Sequence, residues 1–221
     1  LADLTPVHRL DKDASGVLLF ARDKKFAAAL QQRWNETEKT YLALCVGAPP
    51  QTQGVIDAPI LEHQTGKPER LRVALRYYSE QHPGVEIPAS PPPKTSAVHP
   101  AGRSSQTAYR LLESFLNPTA VSLLEVTPRQ GRMHQIRVHL AHLGCPILGD
   151  TLYGVETRIS VTVPRLALHA AKLRFPDPRA EKKRLTVEAA LADDLQSVLN
   201  TLRGFRDSRP ATDPAATSSR E

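Results

Sequence analysis

The sequence predicts an α+β domain built on one sheet. Apolar runs of strand length recur from end to end, while only two or three segments carry a helical period. Those few helical segments do not alternate with the strands one for one, which argues against a regular βαβ array.

Each element has a local reason. Val17 to Phe20 is a short apolar run between Gly16 and Arg22, expected to be a buried strand. Asp23 can cap a helix from about Lys24 to Trp34, with Phe26, Leu30 and Trp34 along one face. Lys39 to Val46 reads as the next strand, ended by Gly47 and two prolines. Short strands and turns alternate from Gly54 to Tyr78. Ser79 to Gly102 is proline-rich and nearly free of large apolar residues, so it is expected to be an inserted, mobile surface loop. Gln106 to Leu112 and Val121 to Thr127 are two further strands, related as a hairpin across Asn117-Pro118. Met133 to Leu143 is helical in pattern and stops at Gly144, with Pro146 beyond. Leu166 to Phe175 is the last strand candidate, and Asp193 to Leu202 a short closing helix. The domain therefore spans residues 1–205, and the small, polar stretch 206–221 is expected to be a disordered tail.

Composition narrows the function. Against 23 Asp+Glu stand 29 Lys+Arg, a formal charge of +6 that favours a polyanionic partner. Cys45 and Cys145 lie far apart among apolar neighbours, as buried free thiols of a reducing cytosol do. No apolar run approaches the length of a membrane span, and no basic-then-apolar leader opens the chain. A soluble, cytoplasmic monomer is expected. The chain begins abruptly before a dense polar motif and without Met, so it reads as a fragment lacking upstream sequence.

Chemistry concentrates in a few segments. His8-Arg9-Leu10-Asp11-Lys12-Asp13-Ala14-Ser15-Gly16 packs five ionisable groups into six residues before an apolar run. A carboxylate at the mouth of a strand can be offered to a pocket, although a solvated turn has the same composition. Gln130 to His139 places Arg132, His134, Gln135, Arg137 and His139 around a helix start. There they suit phosphate contacts, and Arg137 could reach a buried carboxylate. On a 3.6-residue period Met133, Ile136 and Leu140 form the apolar side, with Arg132, Gln135 and His139 elsewhere. Tyr41 and Lys39 share one face of their strand, where a tyrosine is more often core than catalytic. Gly149-Asp150-Thr151-Leu152-Tyr153-Gly154 is a glycine-bracketed turn whose plain reading is structural closure. No zinc-type histidine pair, nucleotide-binding glycine loop or serine elbow is present, so neither metal nor cofactor is expected. A hydrolase built on His8, Asp11 and Ser15 is the weakest alternative, since residues so close in sequence seldom converge.

Taken in order, His8 to Gly16, Lys39 to Ala43, Gly131 to His139, Gly149 to Gly154 and Leu168 to Phe175 resemble the motifs of the RluA-type pseudouridine synthases. Ala14 and Met133 depart from residues usual in that family, and its upstream strand and appended RNA-binding module are absent here. The resemblance implies a long, mostly antiparallel mixed sheet flanked by helices, with an RNA cleft across its middle. It implies Asp11 as the catalytic acid, Tyr41 as the active-site phenol and Arg137 as the basic partner of Asp11. Arg9 would help displace a flipped uridine, while His8, Lys39, Arg132, His134 and Gln135 would contact RNA. Isomerisation of uridine in ribosomal or transfer RNA would follow, with Asp11 acting as nucleophile or as base. The alternative is an RNA-binding protein or chaperone that keeps the fold without turnover.

Overall fold

The computed structural model describes residues 4–62, 76, 80, 95–116, 120–154, 161–180 and 182–207. The N-terminal segment forms three very short strands, β1 (Thr5–Pro6), β2 (Ser15–Gly16) and β3 (Phe20–Ala21). Helix α1 (Lys24–Gln32) follows, its first turn capped by the Asp23 carboxylate, which accepts the Phe26 amide at 2.7 Å. A 3₁₀ turn, Trp34–Glu36, then leads into β4 (Glu38–Val46), β5 (Gln53–Asp57) and β6 (Ile60–Glu62). After these come β7 (Ser96–Val98), β8 (Gln106–Phe115), β9 (Val121–Pro128) and α2 (Gln135–His142). The chain continues through β10 (Leu168–Pro176) and β11 (Arg184–Glu188) to α3 (Asp193–Asp207).

The main sheet runs β11-β10-β4-β9-β8-β5 with every neighbouring pair antiparallel. Strand β2 adds to β10 in parallel, and this pairing makes the sheet mixed. Leu123 and Leu124 of β9 are both buried although they point to opposite faces, so the centre of the sheet is covered on both sides. Ile136 and Leu140 of α2 and Leu195, Leu199 and Leu202 of α3 join Leu44, Leu124 and Val126 in one apolar core. A second cluster gathers Val7, Val17, Ala21, Ala27, Leu30, Leu173 and Phe175 beneath α1. The architecture is the expected α+β one. Among the described residues no helix is long and apolar enough to cross a membrane.

Four local expectations need correction. Val17 to Phe20 is not a buried strand: Val17 and Ala21 point inward, while Leu18 and Phe20 stand 42% and 45% exposed. Apolar side chains on both faces of an extended segment hid a one-sided packing. Helix α1 stops at Gln32, and Trp34 starts the 3₁₀ turn, which the Arg33–Glu36 ion pair spans at 2.8 Å. The segment expected to be a surface loop up to Gly102 instead contains buried β7, antiparallel to β6. Its residues Ser96, Ala97 and Val98 are too small to announce a strand by hydrophobicity. Most of the earlier part of that segment, from Ser79 to Lys94, lies outside the described residues. Finally, α3 runs to Asp207 and so enters the expected tail, whose remaining part, 208–221, also lies outside them.

Candidate active site

The first wall of the site is the turn that carries Asp11. Ala14 N–H donates to the Asp11 carbonyl at 3.1 Å, and Asp13 takes a left-handed φ of 67°. Gly16 follows at φ 115°, so close to β10 that a Cβ there would lie 2.2 Å from the Ala170 carbonyl oxygen. Arg165 holds the turn from outside, donating to the Asp13 carbonyl and to Ser15 Oγ, both at 3.0 Å. Asp194, at the start of α3, anchors that arginine at 2.7 and 2.8 Å. Ser15 Oγ also meets His169 Nδ1 at 2.9 Å, while His8 Nε2 accepts the Leu19 amide at 3.0 Å. Ser15, His8 and Asp11 therefore form no hydrolytic triad, since the serine and the histidine have other partners.

Helix α2 forms the opposite wall. It is buried nearly all round rather than amphipathic, and its polar side is closed by internal hydrogen bonds. His139 meets Thr107 Oγ1 at 2.7 Å through Nδ1 and donates through Nε2 to the Ala58 carbonyl at 2.9 Å. Burial holds its imidazole down at about 4, in the neutral form. Gln135 donates to the Gln106 carbonyl and to Thr107 Oγ1, and accepts the Arg132 amide. The Gln135 amide thereby locks α2 to β8.

Between these walls lies a cavity of about 740 Å³. Asp11, Tyr41, Lys39, Arg9, Arg132 and His134 line it, together with His8 and the edge of Gln135. Segments far apart in the chain thus converge on one space. Arg137 is not in the wall but directly behind it: its side chain is 6% exposed, and Nη1 lies 4.0 Å from Asp11 Oδ2. The sequence pointed to Asp11 as its ion-pair partner. The closer partner is Asp150, which takes Arg137 Nε and Nη2 at 2.8 and 2.7 Å in a bidentate pair. Burial works against the Arg137 charge, but the Asp150 hydrogen bonds and the charges of Asp150 and Asp11 outweigh it and raise its pKa.

Neighbouring groups show the same tension between burial and charge. Burial and the charge of Asp11 push the Tyr41 phenol up to about 12, so it stays protonated at neutral pH. Burial lowers Lys39, whose ammonium sits 5.5 Å from the Trp34 ring centroid, across from Gly131. Trp34 in turn stacks on His8 at 4.8 Å. The Tyr153 phenol oxygen accepts the Ser96 N–H at 2.7 Å, and its O–H can donate to His134 Nδ1 at 2.9 Å. His134 takes a left-handed φ of 57°, and burial lowers its pKa. Trp34, Asp150 and Tyr153 were not expected at the site. For the last two the signal was the Asp and Tyr set between Gly149 and Gly154. Among the described residues no group of three or more His, Cys, Asp or Glu is placed to hold a metal ion.

Residues 2–142 match the family model described as RNA pseudouridylate synthase. A Chloroflexus aurantiacus protein titled an uncharacterized RNA pseudouridine synthase is 41% identical over 199 residues, covering 89% of this chain and 53% of its own length. The Vibrio cholerae ribosomal large subunit pseudouridine synthase C is 33% identical over 203 residues, covering 89% of this chain and 55% of its own length. This chain therefore spans about half the length of the curated relatives it matches. A solved structure titled Human RNA Pseudouridylate Synthase Domain Containing 4 superposes with a TM-score of 0.65 at 28% identity, covering 90% of this chain and 76% of that one. With the motif order and the fold in agreement, the chain belongs to the RNA pseudouridylate synthase family, of the RluA type.

Proposed function

We propose that the protein isomerises uridine to pseudouridine in structured RNA, with Asp11 as its catalytic carboxylate. One observation carries this reading: Asp11 and Tyr41 face the same cavity, with Arg137 directly behind Asp11, although the three come from distant segments. The reaction breaks the N1–C1′ bond, turns the base and joins C5 to C1′. The C5 proton leaves and N1 gains one, so nothing is oxidised and no group is lost. Such a reaction needs a fixed carboxylate, acting either as a nucleophile or as a base. The half-buried phenol of Tyr41 offers a face on which uracil can stack. A cavity of about 740 Å³ lies within the roughly 300–1,000 Å³ usual for small-ligand sites, enough for one flipped-out nucleotide.

A duplex keeps its bases out of reach, so the target uridine is extruded, and Arg9 at the rim is suited to hold the vacated stack. Lys39 and Arg132 supply cationic walls for phosphates. Names of the relatives favour ribosomal over transfer RNA as the substrate class. Tritium release from C5-labelled RNA tests the assignment: wild type should release label and Asp11→Ala should not. Equal release by both would remove Asp11 from the chemistry. Salt-dependent RNA binding with no pseudouridine formed would favour a purely binding protein.

A further inference from the structure

The guanidinium of Arg137 is shared unequally by two carboxylates. Asp150 holds it by two short hydrogen bonds, while Asp11 meets only Nη1, at 4.0 Å. The Asp150 side chain is 0% exposed and the Asp11 side chain 22%. Asp150 is itself fixed, because its Oδ1 accepts the amides of Leu152 and Tyr153 at 2.9 and 3.0 Å. Gly149 permits this turn with a φ of 71° where a Cβ would lie 2.2 Å from the Arg165 carbonyl oxygen. The buried ion pair is thus Arg137–Asp150, and the acid facing the cavity stands outside it.

We infer that Asp150 is a positioning residue for the proposed isomerisation: it holds the guanidinium back so that Asp11 feels a positive charge but keeps its lone pairs free. The inference rests on the reading of Asp11 as the reacting carboxylate. A carboxylate closed into a bidentate pair with arginine gives a lone pair of each oxygen to the guanidinium and has its charge largely offset, which makes it a weaker nucleophile or base. With Asp150 neutralised, the buried arginine would lack a counter-charge, and Asp11 is the nearest remaining one. The guanidinium should then swing toward Asp11 and close on it.

Asp150→Asn keeps a carbonyl oxygen for the Leu152 and Tyr153 amides, removes the charge and puts an NH2 donor where Oδ2 accepted Arg137 Nε. In the full-length protein it should lower kcat for pseudouridine formation at least about tenfold and leave KM for RNA within about twofold. Arg137→Gln removes the group that needs holding. In that background, adding Asp150→Asn should change kcat by less than about twofold. Equal losses in both backgrounds would make Asp150 a turn residue and overturn the inference, as would wild-type kcat in the single variant. A crystal structure of Asp150→Asn reads the same point without turnover: Arg137 should lie about 3 Å from the Asp11 carboxylate. A separation unchanged from 4.0 Å would overturn the inference. A wild type that forms no pseudouridine would sink the proposed function alone, with that structure still deciding the role of Asp150.

Discussion

On the α2 side of the cleft, Gln135, Arg137, His139 and Asp150 are buried and hydrogen-bonded to other protein groups. On the N-terminal side, Asp11 stands part-exposed on a turn, with its contact to Arg137 at 4.0 Å. The α2 wall is a closed polar network, which holds a geometry because every unmet hydrogen bond in it would be costly. The N-terminal wall is a thin loop shaped by the positive φ of Asp13 and Gly16 and braced by Arg165. The difference separates two tasks. A reacting group needs open lone pairs, and the scaffold that aims it needs saturated ones.

The sharpest way to break the thin wall is Gly16→Ala. Its new methyl would strike the Ala170 carbonyl at 2.2 Å in a backbone conformation that alanine rarely adopts. We expect β2 to leave β10, stability to fall by about 3 kcal/mol and pseudouridine formation to fall more than about a hundredfold. Chemical denaturation and rate measurements check both; wild-type activity would show that the turn does not aim Asp11.

The closed wall has a different weakness, which is acid. His139 has a folded value of about 4 against an ordinary 6.5, so between those pH values the unfolded chain binds more protons than the folded one. Its stabilising contribution is fully present above pH 6.5 and is lost as pH falls toward 4. The loss is on the order of 3 kcal/mol. Urea denaturation of wild type and His139→Gln across that range should show a steeper acid decline in wild type. Parallel curves would contradict the buried neutral imidazole.

Asp23→Ala lies outside both walls and serves as the control. Losing the cap of α1 should lower stability by about 1 kcal/mol and leave turnover unchanged. A fall in turnover would mean that α1 communicates with the site.

Legibility in the sequence followed the same division. Strand β4 and helix α1 were readable because propensity, periodicity and a capping Asp all act within a few residues. The convergence of Asp11, Tyr41 and Arg137 on one space was readable from motif order. The pairing of Arg137 with Asp150 was not, because it depends on how the turn from Gly149 to Gly154 packs against α2. The burial of Gln135 and His139 was illegible for a related reason. Polar residues at a helix start look solvent-facing unless Thr107 on a distant strand is known to meet them. Strand β7 escaped notice because Ser96, Ala97 and Val98 are buried by a neighbouring strand rather than by their own bulk.

The most direct measurement follows RNA affinity and pseudouridine yield together in Asp11→Asn, a change that keeps the shape of the side chain and removes its charge. An acid that acts on the nucleotide, rather than merely shaping the cleft, predicts affinity within about threefold of wild type and conversion lower by about a thousandfold or more. Conversion persisting near the wild-type rate would contradict it, and so would a loss of activity explained wholly by lost binding.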